Sequence, residues 1–388
     1  MNARPAPEFP TWPQYDDEER TGLIRALEQG QWWRMGGEEV SSFEQEFADF
    51  HGAPHAFAVT NGTHAFELAL QVMGAGPGTE VIVPAFTFIS SSQAAQRIGA
   101  VAVPVDVDPD TYNIDVAAAA AAVTPRTRVI MPVHMAGLMA DMDALGKLSA
   151  DTGVAILQDA AHAQGARWQG KRVGELGTVA AFSFQNGKLM TAGEGGAVLF
   201  PENDLYEAAF LRHSCGRPRT DRHYKHQVAG TNMRLNEFSA AVLRAQLRRL
   251  PAQTELRDRR WALLSRLLGA VDGVVPQGGD VRADQNTHYM AMFRIPGITE
   301  ADRNTLVDRL VEAGLPAFAA FRASTAPTPS GENRRPRRRP WSSVAERCPH
   351  SRGHQQRTAS GCTTGSSSPT SGTWNSAAEI IADAVAAI

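Results

Sequence analysis

Short apolar segments alternate with segments of helical periodicity between about residues 55 and 200. The apolar segments lack polar residues at every second position, so each is expected to be a strand covered on both faces. This alternation predicts an α/β fold, a mostly parallel sheet with helices on both faces. The predicted strands are 56–60, 81–84, 101–107, 129–133, 155–158, 179–184 and 196–200, and the predicted helices between them are 63–73, 90–98, 115–123 and 141–152.

Beyond residue 230 the pattern becomes mainly helical. Two long amphipathic helices are predicted at 235–250 and 255–269, followed by a strand at 289–295 and a helix at 300–313. We therefore expect a large domain of residues 1–250, including an N-terminal arm, and a small C-terminal α+β domain of residues 251–388.

Residues 324–376 do not follow the pattern of the rest of the chain. Val344 is their only branched aliphatic residue, and eight arginines stand against two glutamates. Such a composition predicts disorder, because too little apolar surface is available to offset chain entropy. An amphipathic helix follows abruptly at 377–385. The sudden loss and return of pattern lead to the hypothesis of a shifted reading frame, and they leave open whether this exact chain is active.

Two patterns inside that segment imitate functional motifs. Cysteines and histidines at 348, 350, 354 and 362 have zinc-like spacing, and the arginine run at 334–339 resembles a nucleic-acid patch. A structural zinc site needs a folded surround, so we expect neither metal nor nucleic acid to bind.

Overall composition excludes several classes of protein. A net charge of −3 with 20% charged residues argues against a nucleic-acid or membrane surface. Three scattered cysteines cannot form a disulfide framework, which favours a reducing compartment. The first residues lack the apolar core of a signal peptide. We therefore expect a cytoplasmic protein.

The strongest chemical signal is a lysine in a glycine-rich turn after an apolar strand. This is Lys188, and Asp159 and His162 follow the preceding predicted strand. The carboxyl ends of parallel strands meet at one edge of a sheet. There a lysine can form a Schiff base with pyridoxal phosphate (PLP), while an aspartate pairs with the pyridinium nitrogen. Alternatively, Lys188 is a solvated loop lysine, Asp159 a strand-end carboxylate and His162 a satisfied core histidine.

A second signal is the sequence Asn61-Gly62-Thr63, which follows a strand and opens a helix. Backbone amides at a helix start can bind phosphate, although an ordinary N-cap with no ligand would have the same sequence pattern. Between two nearby aromatic residues, Phe86 and Phe88, the second is better placed to stack on a cofactor ring, but both could be core residues.

These residues resemble the DegT/DnrJ/EryC1/StrS sugar-aminotransferase family of fold-type-I PLP enzymes. The resemblance covers roughly residues 1–323 and 377–388, and its marks are the segments 132–134, 140–143, 159–162, 188 and 193–196. It implies that Lys188 binds PLP and Asp159 holds its nitrogen. Gly62, Thr63 and Ser183 would bind phosphate, Phe88 would stack on the ring, and His162 would contact the cofactor. Asn232 would reach the phosphate of a neighbouring subunit, making a homodimer.

Three further segments, 31–37, 184–190 and 288–293, resemble one branch of this family. That branch dehydrates and aromatises 5-amino-5-deoxy-3-dehydroshikimate (aminodehydroshikimate) for ansamycin antibiotics. The alternative activity is sugar transamination, with an oxidoreductase as a partner enzyme. A non-catalytic binding protein on the same fold would lack the lysine.

Overall fold

The computed structural model describes residues 9–219, 223–320 and 371–386. The predictions for residues 324–370, including the zinc-like spacing and the arginine run, therefore lie outside the described residues. The strands are β1 (His55–Val59), β2 (Glu80–Pro84), β3 (Val101–Val105), β4 (Thr127–Ile130), β5 (Ala155–Asp159), β6 (Arg167–Trp168), β7 (Lys171–Arg172), β8 (Val179–Ser183), β9 (Gly196–Phe200), β10 (Val275–Pro276) and β11 (Phe293–Arg294).

Helices precede, alternate with and follow the strands along the described chain. They are α1 (Asp17–Gln29), α2 (Glu39–His51), α3 (Gly62–Val72), α4 (Ser90–Arg97), α5 (Val116–Ala121), α6 (Met142–Thr152), α7 (Asn203–His213), α8 (Glu237–Leu268), α9 (Glu300–Glu312) and α10 (Ser371–Ala386). The model contains no helix, within the residues it describes, that is long and apolar enough to cross a membrane.

Seven strands form one sheet in the order β1-β9-β8-β5-β4-β2-β3. The pairs from β8 through β5, β4, β2 and β3 are parallel, whereas β9 is antiparallel to both β1 and β8. The expected α/β fold with a mostly parallel sheet is confirmed. One consequence matters for the site: the carboxyl ends of β1, β5 and β8 and the start of β9 lie at the same edge.

Two apolar clusters cover the two faces of this sheet. Alternate residues of β1 belong to different clusters, Ala56 and Ala58 to one and Phe57 and Val59 to the other. A third cluster lies apart from the sheet and contains Leu264 and Leu268 of α8 with residues of α9 and α10. Helix α8 spans the expected boundary at residue 250, and the division into domains of residues 1–250 and 251–388 stays a prediction.

Three local predictions need correction. The helices predicted at 235–250 and 255–269 form the single helix α8, which continues through Pro251. A proline removes one backbone hydrogen bond, and buried neighbours such as Leu250 and Gln253 hold the helix together there. The strand predicted at 289–295 is reduced to β11, since the amide of Tyr289 bonds to Ala136 instead of a strand. Helix α10 begins at Ser371, before the predicted start at residue 377.

Candidate active site

Lys188 lies in a tight turn directly beyond β8. Its backbone amide donates to the carbonyl of Gln185 at 2.8 Å, and the side-chain oxygen of Gln185 accepts from the amide of Gly187 at 2.8 Å. The indole of Trp12, from the N-terminal arm, donates to the carbonyl of Asn186 at 2.5 Å. Hydrogen bonds within the turn and one from Trp12 hold its conformation, so the half-buried lysine is fixed at the sheet edge.

Asp159 ends β5, the strand beside β8, and is 5% exposed. Its Oδ2 accepts from the hydroxyl of Ser91 at 2.9 Å, and its Oδ1 accepts from the amide of Ala161 at 3.2 Å. Burial raises the pKa of Asp159 to about 6, and these hydrogen bonds and the charge of Lys188 oppose the rise. The carboxyl group is therefore mostly ionised at neutral pH, but burial disfavours its charged form, which a nearby cation would stabilise.

Burial also changes the acidity of the lysine. It lowers the pKa of Lys188 to about 8, and the charge of Asp159 acts in the opposite direction. An amine with this pKa is partly neutral near physiological pH, which an ordinary lysine is not. Lys188 can therefore act as a nucleophile and as a proton carrier.

His162 completes the group, and it is 5% exposed. Its ring stacks on Tyr289 with centroids 4.2 Å apart and an interplanar angle of 19°. Burial, and then the charges of Lys188 and His134, hold its pKa well below the ordinary value, so the imidazole is neutral. Its buried Nδ1 has no hydrogen-bond partner among the residues that the structure describes. A buried nitrogen in this state is suited to a bound polar group.

A cradle for an anion lies at the same edge of the sheet. Gly62 and Thr63 form the first turn of α3, which Asn61 caps by accepting from the amide of His64 at 2.8 Å. A Cβ on Gly62 would lie 2.7 Å from the Cβ of Ser183, so only glycine permits this approach. The start of α3 thus lies directly against Ser183, at the end of β8, and a Cβ on Gly62 would also lie 3.1 Å from the Ser183 hydroxyl oxygen.

Two predicted residues lie at the exposed margin of the site. Phe88 is 56% exposed, and its carbonyl accepts from the amide of Ser91 at 3.1 Å. Asn232 is also exposed, next to Met233, whose carbonyl accepts from Thr60 beyond β1. Phe86, in contrast, is half-buried and packs against Tyr112, in agreement with a core role.

This arrangement fits PLP by its donor set. It offers an amine of lowered pKa, a buried carboxylate, a buried nitrogen without a partner and a helix start that excludes any Cβ. Lys188 would hold the aldehyde carbon, Asp159 the ring nitrogen, and Gly62, Thr63 and Ser183 the phosphate.

Sequence reasoning missed two residues of the site. Ser91 lies in a run of three serines that signals only a helix start, and its contact with Asp159 joins residues 68 positions apart in the chain. Tyr289 is distant in sequence, yet its ring centroid lies 4.6 Å from Nζ of Lys188. Its segment resembled one family branch, but no local pattern placed it in the site.

Known proteins of one family resemble this chain over most of its length. The profile of the DegT/DnrJ/EryC1/StrS aminotransferase family matches residues 14–355. The chain is 78% identical over 325 residues to 3-amino-5-hydroxybenzoate synthase of Amycolatopsis mediterranei (strain S699). The aligned region covers 83% of this chain and 84% of the relative. It is 40% identical over 310 residues to GDP-perosamine synthase of Caulobacter vibrioides, covering 80% and 83%.

A solved structure is similar over almost the whole chain. The crystal structure of 3-amino-5-hydroxybenzoic acid (AHBA) synthase superposes with a TM-score of 0.88 at 69% identity, covering 99% of this chain and 100% of that one. With the family profile matching most of the chain, the chain belongs to the DegT/DnrJ/EryC1/StrS aminotransferase family.

Proposed function

We propose that this PLP-dependent enzyme dehydrates and aromatises aminodehydroshikimate to 3-amino-5-hydroxybenzoate, for ansamycin biosynthesis. The observation that carries the proposal is the 78% identity to a 3-amino-5-hydroxybenzoate synthase together with the cluster of Lys188, Asp159 and His162. The substrate is a small molecule, and overall it loses one water while keeping its amino group, so the activity is that of a lyase.

The roles of the residues follow from their surroundings. When bound, PLP supplies an electron-accepting ring that lets a weakly acidic C–H bond ionise near neutral pH. The carboxylate of Asp159 would keep the ring nitrogen protonated, and that cation would stabilise the buried charge in addition to Lys188. The amine of Lys188, with a pKa of about 8, takes the proton from substrate carbon and returns a proton to the departing hydroxyl. The neutral imidazole of His162 offers its unpartnered Nδ1 to the cofactor.

We further propose that the enzyme is a cytoplasmic homodimer. Several large apolar side chains are exposed in the single chain: Trp32, Trp33, Met35, Phe88 and Ile89. Large apolar side chains that are exposed close together are typical of a protein–protein interface. Phe88 and the exposed Asn232 would then be covered by, or reach into, the neighbouring subunit.

A second candidate activity is transamination of a ketosugar, which an oxidoreductase partner would supply. The chain is 39% identical over 279 residues to dTDP-3-amino-3,4,6-trideoxy-alpha-D-glucose transaminase of Streptomyces venezuelae, and this relationship favours it. Both activities need the same lysine, so the products decide between them.

The deciding experiment incubates the PLP-loaded enzyme with aminodehydroshikimate and follows the ultraviolet band of the aromatic product. A parallel reaction contains a ketosugar with glutamine or glutamate. We expect the aromatic product with wild type and none with Lys188→Ala, while Lys147→Ala, a change at an exposed lysine paired with Asp151, retains full activity. Amino-sugar formation without aromatic product would replace our proposal by the second candidate.

The altered C-terminal segment requires its own control. Activity of the chain as written is compared with that of a chain whose reading frame is corrected over residues 324–376. If only the corrected chain is active, the site assignment holds and the chain as written is an inactive product.

A further inference from the structure

Tyr289 reaches the lysine from a segment far along the chain. Its ring centroid lies 4.6 Å from Nζ of Lys188 and 4.2 Å from the ring centroid of His162. The side chain is 8% exposed. One aromatic ring thus contacts both the amine and the imidazole of the proposed site.

Three contacts dock the segment around Tyr289 onto the large domain. The amide of Tyr289 donates to the carbonyl of Ala136 at 2.8 Å, and the hydroxyl of Thr287 donates to the carbonyl of His162 at 2.5 Å. A Cβ on Gly137, which has a φ of +95°, would lie 1.9 Å from Oγ1 of Thr287. The backbone therefore approaches so closely that Tyr289 has little freedom to shift.

His288, which lies between Thr287 and Tyr289 in the sequence, is anchored on α8. His288 has a φ of +47°, a left-handed conformation that is uncommon for residues with a Cβ. Its Nε2 bonds to Oδ1 of Asp258 at 2.9 Å, and its ring stacks on Trp261 with centroids 5.5 Å apart, both on α8. Because His288 points to α8, its neighbour Tyr289 is directed towards the lysine.

We propose that Tyr289 is a positioning residue of the site, whose ring holds the Lys188 amine and the His162 imidazole in reacting geometry. A flat ring restricts the stacked imidazole to one plane, and its face attracts an ammonium group. This inference rests on the proposed role of Lys188 in binding PLP and is independent of which substrate the enzyme converts.

The test measures how fast Lys188 becomes covalently linked to PLP in the cofactor-free full-length enzyme. The link is followed by absorbance, trapped with borohydride and located by mass spectrometry. We expect Tyr289→Leu to link about tenfold to a hundredfold more slowly, as expected when a reacting group loses its orientation. Noncovalent retention of PLP, which depends on the phosphate cradle, should be unaltered. Tyr289→Phe keeps the ring and should restore the wild-type rate.

The matched control is Tyr206→Leu. Tyr206 also stacks on an imidazole, that of His55, with centroids 4.9 Å apart, at the opposite edge of the sheet. Wild-type linking in Tyr289→Leu, equal loss in Tyr289→Phe, or equal loss in Tyr206→Leu would each overturn the proposal.

If Tyr289→Leu fails to fold, Thr287→Val provides the measurement. It removes the hydrogen bond to His162 while keeping the shape and the tyrosine ring. Slower linking supports the proposal, and an unchanged rate refutes it. Failure of the proposed function would be recognised separately, as absence of aromatic product from a wild-type enzyme that links PLP normally.

Discussion

The hydroxyl of Ser91 donates a hydrogen bond to Oδ2 of Asp159 at 2.9 Å, joining the first turn of α4 to the end of β5. Thr87 lies 2.8 Å from the same hydroxyl, Oγ1 to Oγ, so the serine is held between the loop before α4 and the carboxylate. The acid proposed to face the cofactor ring is thus oriented by a side chain of the first turn of α4.

Replacing this serine should change the pH dependence of the enzyme. The hydrogen bond favours the ionised carboxylate, so Ser91→Ala should raise the pKa of Asp159 above about 6. Activity requires the ionised form. The cation of bound PLP lowers this pKa in the loaded enzyme, and loss of the hydrogen bond raises it there too, so the acid limb of the pH–rate profile should move to higher pH. Loss of a bond to a charged group, about 1.5–3 kcal/mol, should lower activity on that acid limb about tenfold or more. The buried Ser92 of the same helix is the matched control, and superimposable acid limbs would contradict the assignment.

Asp159 should make the cofactor-free protein less stable at higher pH. Its pKa rises from 3.8 when unfolded to about 6 when folded, so the native state binds more protons in this window. The free energy of unfolding therefore falls as pH rises from about 4 through 6, by about 2–3 kcal/mol. Asp159→Asn should be more stable than wild type at pH 8, with a smaller gain at pH 5, in urea unfolding. A variant less stable at pH 8 would contradict the pKa shift.

Gly62→Ala should damage the phosphate cradle. Its Cβ would lie 2.7 Å from the Cβ of Ser183, which forces α3 and β8 apart at a cost of about 1–3 kcal/mol. We expect weaker PLP binding in equilibrium dialysis and a lower midpoint of thermal unfolding. Gly146→Ala in α6 is the matched control, since among the described residues its Cβ would meet no atom within 4 Å apart from the neighbouring backbone of its own helix. Unaltered PLP affinity in Gly62→Ala would exclude the cradle.

Asn232→Ala tests the proposed contribution of a neighbouring subunit. The exposed amide should hold the phosphate of the other protomer, so the variant should lose PLP faster during dilution while remaining a dimer in sedimentation. Loss of one hydrogen bond to a charged group corresponds to about tenfold weaker retention. A monomeric protein, or unchanged retention in a dimer, would contradict this role.

The sheet and the lysine–aspartate pair were predictable because their signals are local. Strand β9 was predicted with its observed bounds, Gly196–Phe200, since a buried apolar run ends sharply at Pro201. The rule that carboxyl ends of parallel strands share an edge then brought Asp159 and Lys188 together. Neither step required knowledge of distant contacts.

The remaining features depend on contacts that local patterns do not encode. Ser91 gains its role only because its hydroxyl meets Asp159, 68 residues further along the chain. Tyr289 gains its role only because Thr287 and the amide of Tyr289 dock on distant backbone. The gap predicted between the helices 235–250 and 255–269 is absent, because packing around Pro251 outweighs one missing hydrogen bond. Helices α1 and α2 were not predicted, although α1 begins with a capping box at Asp16 and Glu19.

Helix α8 has 32 residues and is therefore about 48 Å long at 1.5 Å per residue. Its first half contributes Leu243, Leu247 and Leu250 to the cluster that lies against the sheet, and its last turns contribute Leu264 and Leu268 to the third cluster. This one helix therefore packs into two hydrophobic clusters, and a change in its tilt would create cavities in both. The C-terminal unit is consequently bound to the orientation of the sheet by shared packing, not merely by the peptide chain that connects them.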